Sequence, residues 1–198
     1  MQTLQEHLNV DTILNEVRSC TLCKTNLKDG VRPVLQVSPS ARILIAGQAP
    51  GSKVHATGVP FDDASGDRLR DWMDIDRDTF YDAEQIAILP MGFCYPGKGK
   101  SGDLPPLPIC AETWRDKILA MMPDIKLTLV IGQYALAWHL PEREKTLTET
   151  VRNWDSYNDC LMPLPHPSPR SNIWLAKNSW FESEVLPTLK QRVRSALK

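Results

Sequence analysis

Four cysteines and two proline-stiffened loops are the residues of this chain that could do chemistry. Cys20 and Cys23 are separated by two residues, and Cys94 and Cys110 by fifteen. A CxxC pair with two distant cysteines supplies the thiolate count of one iron–sulfur cluster or one zinc ion, and spacing alone does not separate them. The bland alternative is that Cys94 and Cys110 are ordinary buried thiols. The first loop reads Gly47-Gln48-Ala49-Pro50-Gly51 and continues to Gly58-Val59-Pro60-Phe61; the second reads His166-Pro167-Ser168-Pro169-Arg170. Two prolines fix the backbone of the second loop, so His166 and Ser168 point in set directions. The two loops read as opposing walls of an active site.

The elements that must position these loops follow from short apolar runs. Strands are expected at residues 41–46, 86–89, 127–131 and 160–164, each ending in a Gly- or Pro-rich loop. Helical spacing covers 10–18, 67–73, 111–122, 133–140 and 143–154. A last helix over 180–197 presents Phe181, Val185, Leu189 and Val193 at spacings of four, with Lys190, Arg192 and Arg194 on its solvated face. The alternation predicts βαβ units and a parallel sheet. Ligands of open α/β sheets gather at the carboxyl ends of the strands, which is where both loops fall. Cys160, inside an apolar run, reads as core. The run 96–108, rich in Gly, Lys and Pro, reads as a surface excursion pinned by cysteines on both sides. Residues 1–198 therefore read as a single domain.

Composition narrows the class. A chain of 198 residues that is 42% hydrophobic can bury a sizeable core, and 24% charged residues do not suggest disorder. Its 23 basic and 24 acidic residues nearly cancel, which excludes a uniformly basic DNA packager but not a local phosphate-binding patch. No apolar run is long enough to cross a bilayer and no signal peptide is evident, so a cytoplasmic protein without a membrane partner is expected. There the five cysteines argue for metal ligation or isolated thiols over disulfides. Gly92 to Lys98 begins like a phosphate-binding P-loop, but Gly99 stands where a Ser or Thr is required.

These motifs resemble the uracil-DNA glycosylase superfamily over residues 20 to 170, and most closely its iron–sulfur bacterial and archaeal members, called family 4. Their N-terminal CxxC, the two later cysteines flanking a Pro-rich loop, and a helix opening like Pro108-Ile109-Cys110-Ala111-Glu112 are all matched here. Motif one of the superfamily starts Gly-x-x-Pro after the first sheet strand and runs on to Gly-x-Pro-Phe; motif two has the His-Pro-Ser-Pro form. The resemblance implies a three-layer α/β/α fold with a four-stranded parallel sheet, and a monomeric, monofunctional glycosylase that flips uracil or another deaminated base out of DNA. It implies that Cys20, Cys23, Cys94 and Cys110 hold a 4Fe–4S cluster (zinc being the alternative), remote from the chemistry. His166 would donate to the carbonyl of the leaving base, and Phe61 would stack it. Amides near Gln48 and Ala49 would hold its carbonyl. Ser168, Pro169 and Arg170 would press on the minor groove and the phosphates. Lys98 and Lys100 read as DNA phosphate contacts or as a solvated loop.

Departures from the pattern bear on substrate. Gln48 stands where family 4 has a water-activating Glu, and an amide cannot act as a base. The nearest carboxylates are Asp62 and Asp63, to be read either as catalytic or as the N-cap of the next helix. The family 4 Asn that reads uracil is replaced by Pro90. Gln48 could read the base instead, or the substrate is another base. Loss of both family 4 residues also keeps open a non-catalytic Fe–S protein that binds DNA or damaged bases, and more distantly a zinc-stapled hydrolase of free nucleosides.

Overall fold

The computed structural model describes residues 2–198, with side chains from Val10 onward. Strands β1 (Ile43–Ala46), β2 (Ile86–Ile88), β3 (Leu127–Ile131) and β4 (Leu161–Leu164) form one all-parallel sheet in the order β2-β1-β3-β4. Ile43 pairs with Ile86 on one side and Leu127 on the other, and Val130 pairs with Pro163. The strands are apolar along nearly their whole length because both faces of a parallel sheet are covered.

Alternation within β1 shows the three layers. Ile43 and Ile45 face a core shared with Leu69, Trp72, Phe181 and Val193. Leu44 and Ala46 face the other side, Leu44 towards Val17, Trp114 and Ile118, and Ala46 towards Ala135 and Leu136. Helix α3 (Ala64–Met73) and the last helix thus lie on one face. Helices α1 (Gln2–Arg18), α5 (Pro108–Leu119) and α6 (Gly132–His139) lie on the other. Two short helices, α2 (Ser52–Thr57) and α4 (Arg77–Tyr81), follow β1 and α3. The free edge of β2 is covered by Gln36, whose backbone exchanges hydrogen bonds with Ile88 (2.9 and 2.7 Å) and whose side chain donates to the Ile86 carbonyl at 2.8 Å. Covering an edge in this way blocks pairing with another chain.

Several expected elements shift. The run 143–154 is α-helical only in α7 (Leu147–Arg152), because Thr146 and Glu149 close a capping box that starts the helix late, and a 3-10 turn follows at Trp154–Ser156. Phe181, Val185, Leu189 and Val193 are all fully buried, as their spacing predicts. Their helix, however, divides into a π-helical stretch, Phe181–Val185, and an α-helix at Leu186–Ala196. Pro187 has no N–H to return to the preceding turn, which accounts for the change of winding. Cys160 corrects the sequence reading. It is exposed just before β4, where its N–H donates to the Asn158 side chain at 3.0 Å, rather than buried in the core.

Candidate active site

The carboxyl ends of β1, β2 and β4 open into one cavity of about 330 Å³, within the range of small-ligand sites. Gly47, Gln48 and Ala49 line it from β1, Pro90 from β2 and His166 from β4. The β1 loop is pinned from below, since the Met91 N–H donates to the Gly47 carbonyl (2.9 Å) and the Gly92 N–H to that of Gln48 (3.0 Å). Both proline-stiffened loops therefore face the same space, as their sequence suggests.

Phe61 reaches this cavity through an unusual backbone. Its φ is 54°, a left-handed conformation that a bulky residue adopts only when its surroundings impose it. Gly66 makes this possible, because a Cβ there would collide with the Phe61 carbonyl. The ring lies over Gly47, 3.6 Å from where a Cβ would stand, and meets Phe80 edge-on at 6.1 Å.

The two acidic residues after Phe61 part company. Asp63 lines the cavity, but its Oδ1 accepts from the N–H groups of Ser65 (2.9 Å) and Gly66 (3.0 Å) and so caps α3. Asp62 is absent from the cavity wall; it accepts from the Arg77 guanidinium at 3.0 Å, and that guanidinium also stacks on Tyr81.

His166 is held in one tautomer. The Ser168 N–H donates to its Nδ1 at 3.2 Å, so a neutral ring carries its proton on Nε2. Burial pushes the imidazole below its usual range, opposed by the charges of Asp63 and Asp103. The ring is accordingly a neutral donor at physiological pH. The rest of the loop is tied down as well: the Ser171 hydroxyl donates to the His166 carbonyl (2.6 Å), and Arg68 of α3 bridges the Ser168 carbonyl (2.9 Å) and the Asn172 side chain (2.8 Å). Ser168 and Arg170 line the cavity, whereas Pro169 begins the exposed turn into α8 (Asn172–Lys177). Ile173 on that helix is 71% exposed, more than any other large apolar side chain among the described residues. Trp174, by contrast, packs on Trp180 and Phe181 and donates to Thr148 at 2.8 Å, so it belongs to the fold.

The Gly/Lys/Pro excursion is a small hairpin, with Leu104 N–H bonded to the Gly97 carbonyl (2.8 Å) and Gly99 N–H to that of Gly102 (2.6 Å). Lys98 and Lys100 are exposed on it and outside the cavity wall, while Ser101, Gly102 and Asp103 line the cavity. At Gly102, φ is +149°, a backbone conformation that L side chains rarely adopt, and the Arg170 guanidinium packs directly over it, joining hairpin and second loop. Asp103 and Arg68 were not legible as site residues in the sequence; a hairpin of this shape leaves no spacing signal. Arg115 is a third such residue. It is fully buried, donates to the carbonyls of Leu89 (2.9 Å) and Pro90 (3.1 Å), and reaches His139 Nε2 at 2.6 Å. It thereby clamps the strand end that carries Pro90.

Cys20, Cys23, Cys94 and Cys110 line a second, largely apolar cavity with Leu27, Phe93 and Trp114. Among the described residues no group of three or more His, Cys, Asp or Glu side chains stands close enough to hold a single metal ion. The donor set nevertheless suits an iron–sulfur group: four thiols, an apolar wall, and the Phe93 N–H directed at Cys110 Sγ at 3.4 Å. Burial and the neighbouring thiols push Cys94 up to about 11 and Cys110 up to about 12. Such thiols are protonated at neutral pH unless a metal deprotonates them. Pro96 borders both cavities, so the hairpin bearing Asp103 hangs between the cysteine cavity and the first one. Among the described residues no helix is long and apolar enough to cross a membrane.

The model of the Uracil DNA glycosylase superfamily matches residues 35–190 of this chain. That stretch contains both loops, all four strands and every residue lining the first cavity except Val34.

Proposed function

The chain belongs to the uracil-DNA glycosylase superfamily, whose members are DNA glycosylases, and on that premise we propose that it hydrolyses the N-glycosidic bond of uracil or another deaminated base flipped from DNA into the first cavity. The observation that carries this reading is the convergence of His166 and Phe61, a hydrogen-bond donor and an aromatic platform, at the carboxyl ends of the strands.

Breaking the C1′–N bond puts negative charge on the departing base and positive charge on the sugar. The Nε2–H of His166 donates to the base carbonyl as that charge develops, which favours the transition state over the ground state. Phe61 stacks the base, and the amides of Gln48 and Ala49 hold its carbonyl. The Gln48 side chain offers both a donor and an acceptor and takes over base reading from Pro90, whose ring has neither. Asp63 keeps one oxygen beyond its helix cap to stabilise the sugar cation. Asp62, turned to Arg77, supports α4 instead.

Ser168, Pro169 and Arg170 form the lip that meets the DNA backbone, with Ile173 as an apolar wedge beside it and Lys98 and Lys100 as phosphate contacts on the hairpin. Cys20, Cys23, Cys94 and Cys110 hold a 4Fe–4S cluster, which accommodates thiolates further apart than a single zinc ion does; when bound it supplies structure. We place the chain as a monofunctional, family 4-like enzyme of one domain acting as a monomer in the cytoplasm.

Incubation with oligonucleotides containing uracil, hypoxanthine or xanthine, single- and double-stranded, tests the reading. Alkali-labile sites at one of these bases are expected. Tight binding to all of them with no abasic site formed would favour a binding protein and overturn it.

A further inference from the structure

We propose that Asp103, on the hairpin between Cys94 and Cys110, is the carboxylate that activates the attacking water; this rests on the glycosylase reading above. The position in the first loop where a base would be expected holds Gln48, an amide that cannot take a proton. Asp62 is bound to Arg77, and Asp63 has one oxygen fixed by two backbone amides of α3.

Asp103 lines the same cavity from the hairpin. A Cβ at Gly51 would lie 3.7 Å from its Oδ2, so the carboxylate sits against the very loop that lacks a base. Its Oδ1 accepts from the Tyr95 hydroxyl at 3.4 Å, which orients the group and leaves Oδ2 to the cavity. Its charge is felt at His166, where it opposes the effect of burial. The two chemical groups thus face one substrate volume, with the carboxylate on the hairpin side and the donor at the end of β4.

The hairpin is built to hold this position. Backbone bonds pair its arms on both sides of Asp103, and Arg170 packs over Gly102. In the reaction, the C1′–N bond breaks with its electron pair leaving on the base, which His166 stabilises as an anion. Water adds its oxygen to C1′ while Asp103 takes the released proton. That proton returns through solvent to the base, leaving an abasic sugar and the neutral free base.

The test is single-turnover excision by Asp103→Asn, Asp103→Glu and Asp63→Asn, with binding to the same oligonucleotide measured in parallel. Asp103→Asn should slow excision by about 100-fold or more, the usual scale of a general base. Binding should change by less than about threefold, since the carboxylate acts after the base has entered. Asp103→Glu should recover part of the rate, and Asp63→Asn, which keeps the helix cap but gives up the charge beside the sugar cation, should slow excision less than Asp103→Asn. Wild-type excision with an equally active Asp103→Asn overturns this inference alone. No excision by the wild type overturns the glycosylase reading and this inference together.

Discussion

The backbone N–H of Ser168 donates to Nδ1 of His166 at 3.2 Å. That one bond decides what the imidazole can do. With Nδ1 occupied as an acceptor and burial disfavouring the cation, the ring presents a single proton, on Nε2, to the cavity. Replacing His166 by Ala should reduce excision by roughly 100-fold or more, the scale for loss of one preorganised donor, while DNA binding falls far less. Equal losses in both would show that His166 serves binding only.

The same geometry predicts a pH dependence. Because burial lowers the His166 pKa below its usual 6.5, the ring is mostly neutral at pH 6.5 and increasingly so above it. A step in excision attributable to this histidine should therefore lie in acid, with activity lost as pH falls and none lost as pH rises from 6.5 to 8. A rate that declines across that interval would mean that the protonated ring is the active form.

Gly66 permits the left-handed backbone of Phe61, since any Cβ would meet the Phe61 carbonyl. Gly66→Ala should displace Phe61 and cost about 1–3 kcal/mol of stability, the usual penalty of overpacking. Phe61→Leu should keep the fold and raise KM for the target base by weakening stacking, worth about 1–3 kcal/mol per base. Denaturant unfolding and steady-state kinetics separate the two, and an unchanged KM in Phe61→Leu would remove the stacking role.

Much of this was legible beforehand, for reasons that differ by element. The strands could be read because a parallel sheet covered on both faces needs continuous apolar runs, and 127–131 matches β3 residue for residue. The loops could be read because prolines and glycines fix their backbones. What could not be read is which of several available partners each group takes. The Asp63 cap and the Asp62–Arg77 pair decide which acid faces the cavity, and the hairpin that delivers Asp103 follows from backbone bonds that no spacing encodes. Cys160 reads as core because apolar residues follow it, yet it stands after Asn158 and Asp159 and β4 begins one residue later.

Arg115 and His139 form a buried unit behind Pro90. His139 accepts from Arg115, and burial together with that charge lowers its pKa to about 3 from the usual 6.5. Between those values the unfolded chain binds a proton that the native ring refuses, so stability rises with pH across this window and is lost on acidification, by a few kcal/mol at most. His139→Gln keeps an acceptor without titrating and should flatten the difference between unfolding at pH 4 and at pH 7. An unchanged difference would place the acid sensitivity elsewhere.

Anaerobically purified protein should contain iron and acid-labile sulfide in equal amounts. Cys110→Ser should lose both, destabilise the hairpin between Cys94 and Cys110, and reduce excision without altering any group in the first cavity. Zinc alone, bound by the same four cysteines, would contradict the cluster and leave the glycosidic chemistry untouched.

The most direct test of the central claim is the single-turnover release of uracil from a labelled single-stranded oligonucleotide by wild-type protein and His166→Ala side by side. Alkali-dependent cleavage at the uracil that falls by roughly 100-fold or more in the variant is the predicted result. Cleavage of equal rate in both proteins would contradict the account.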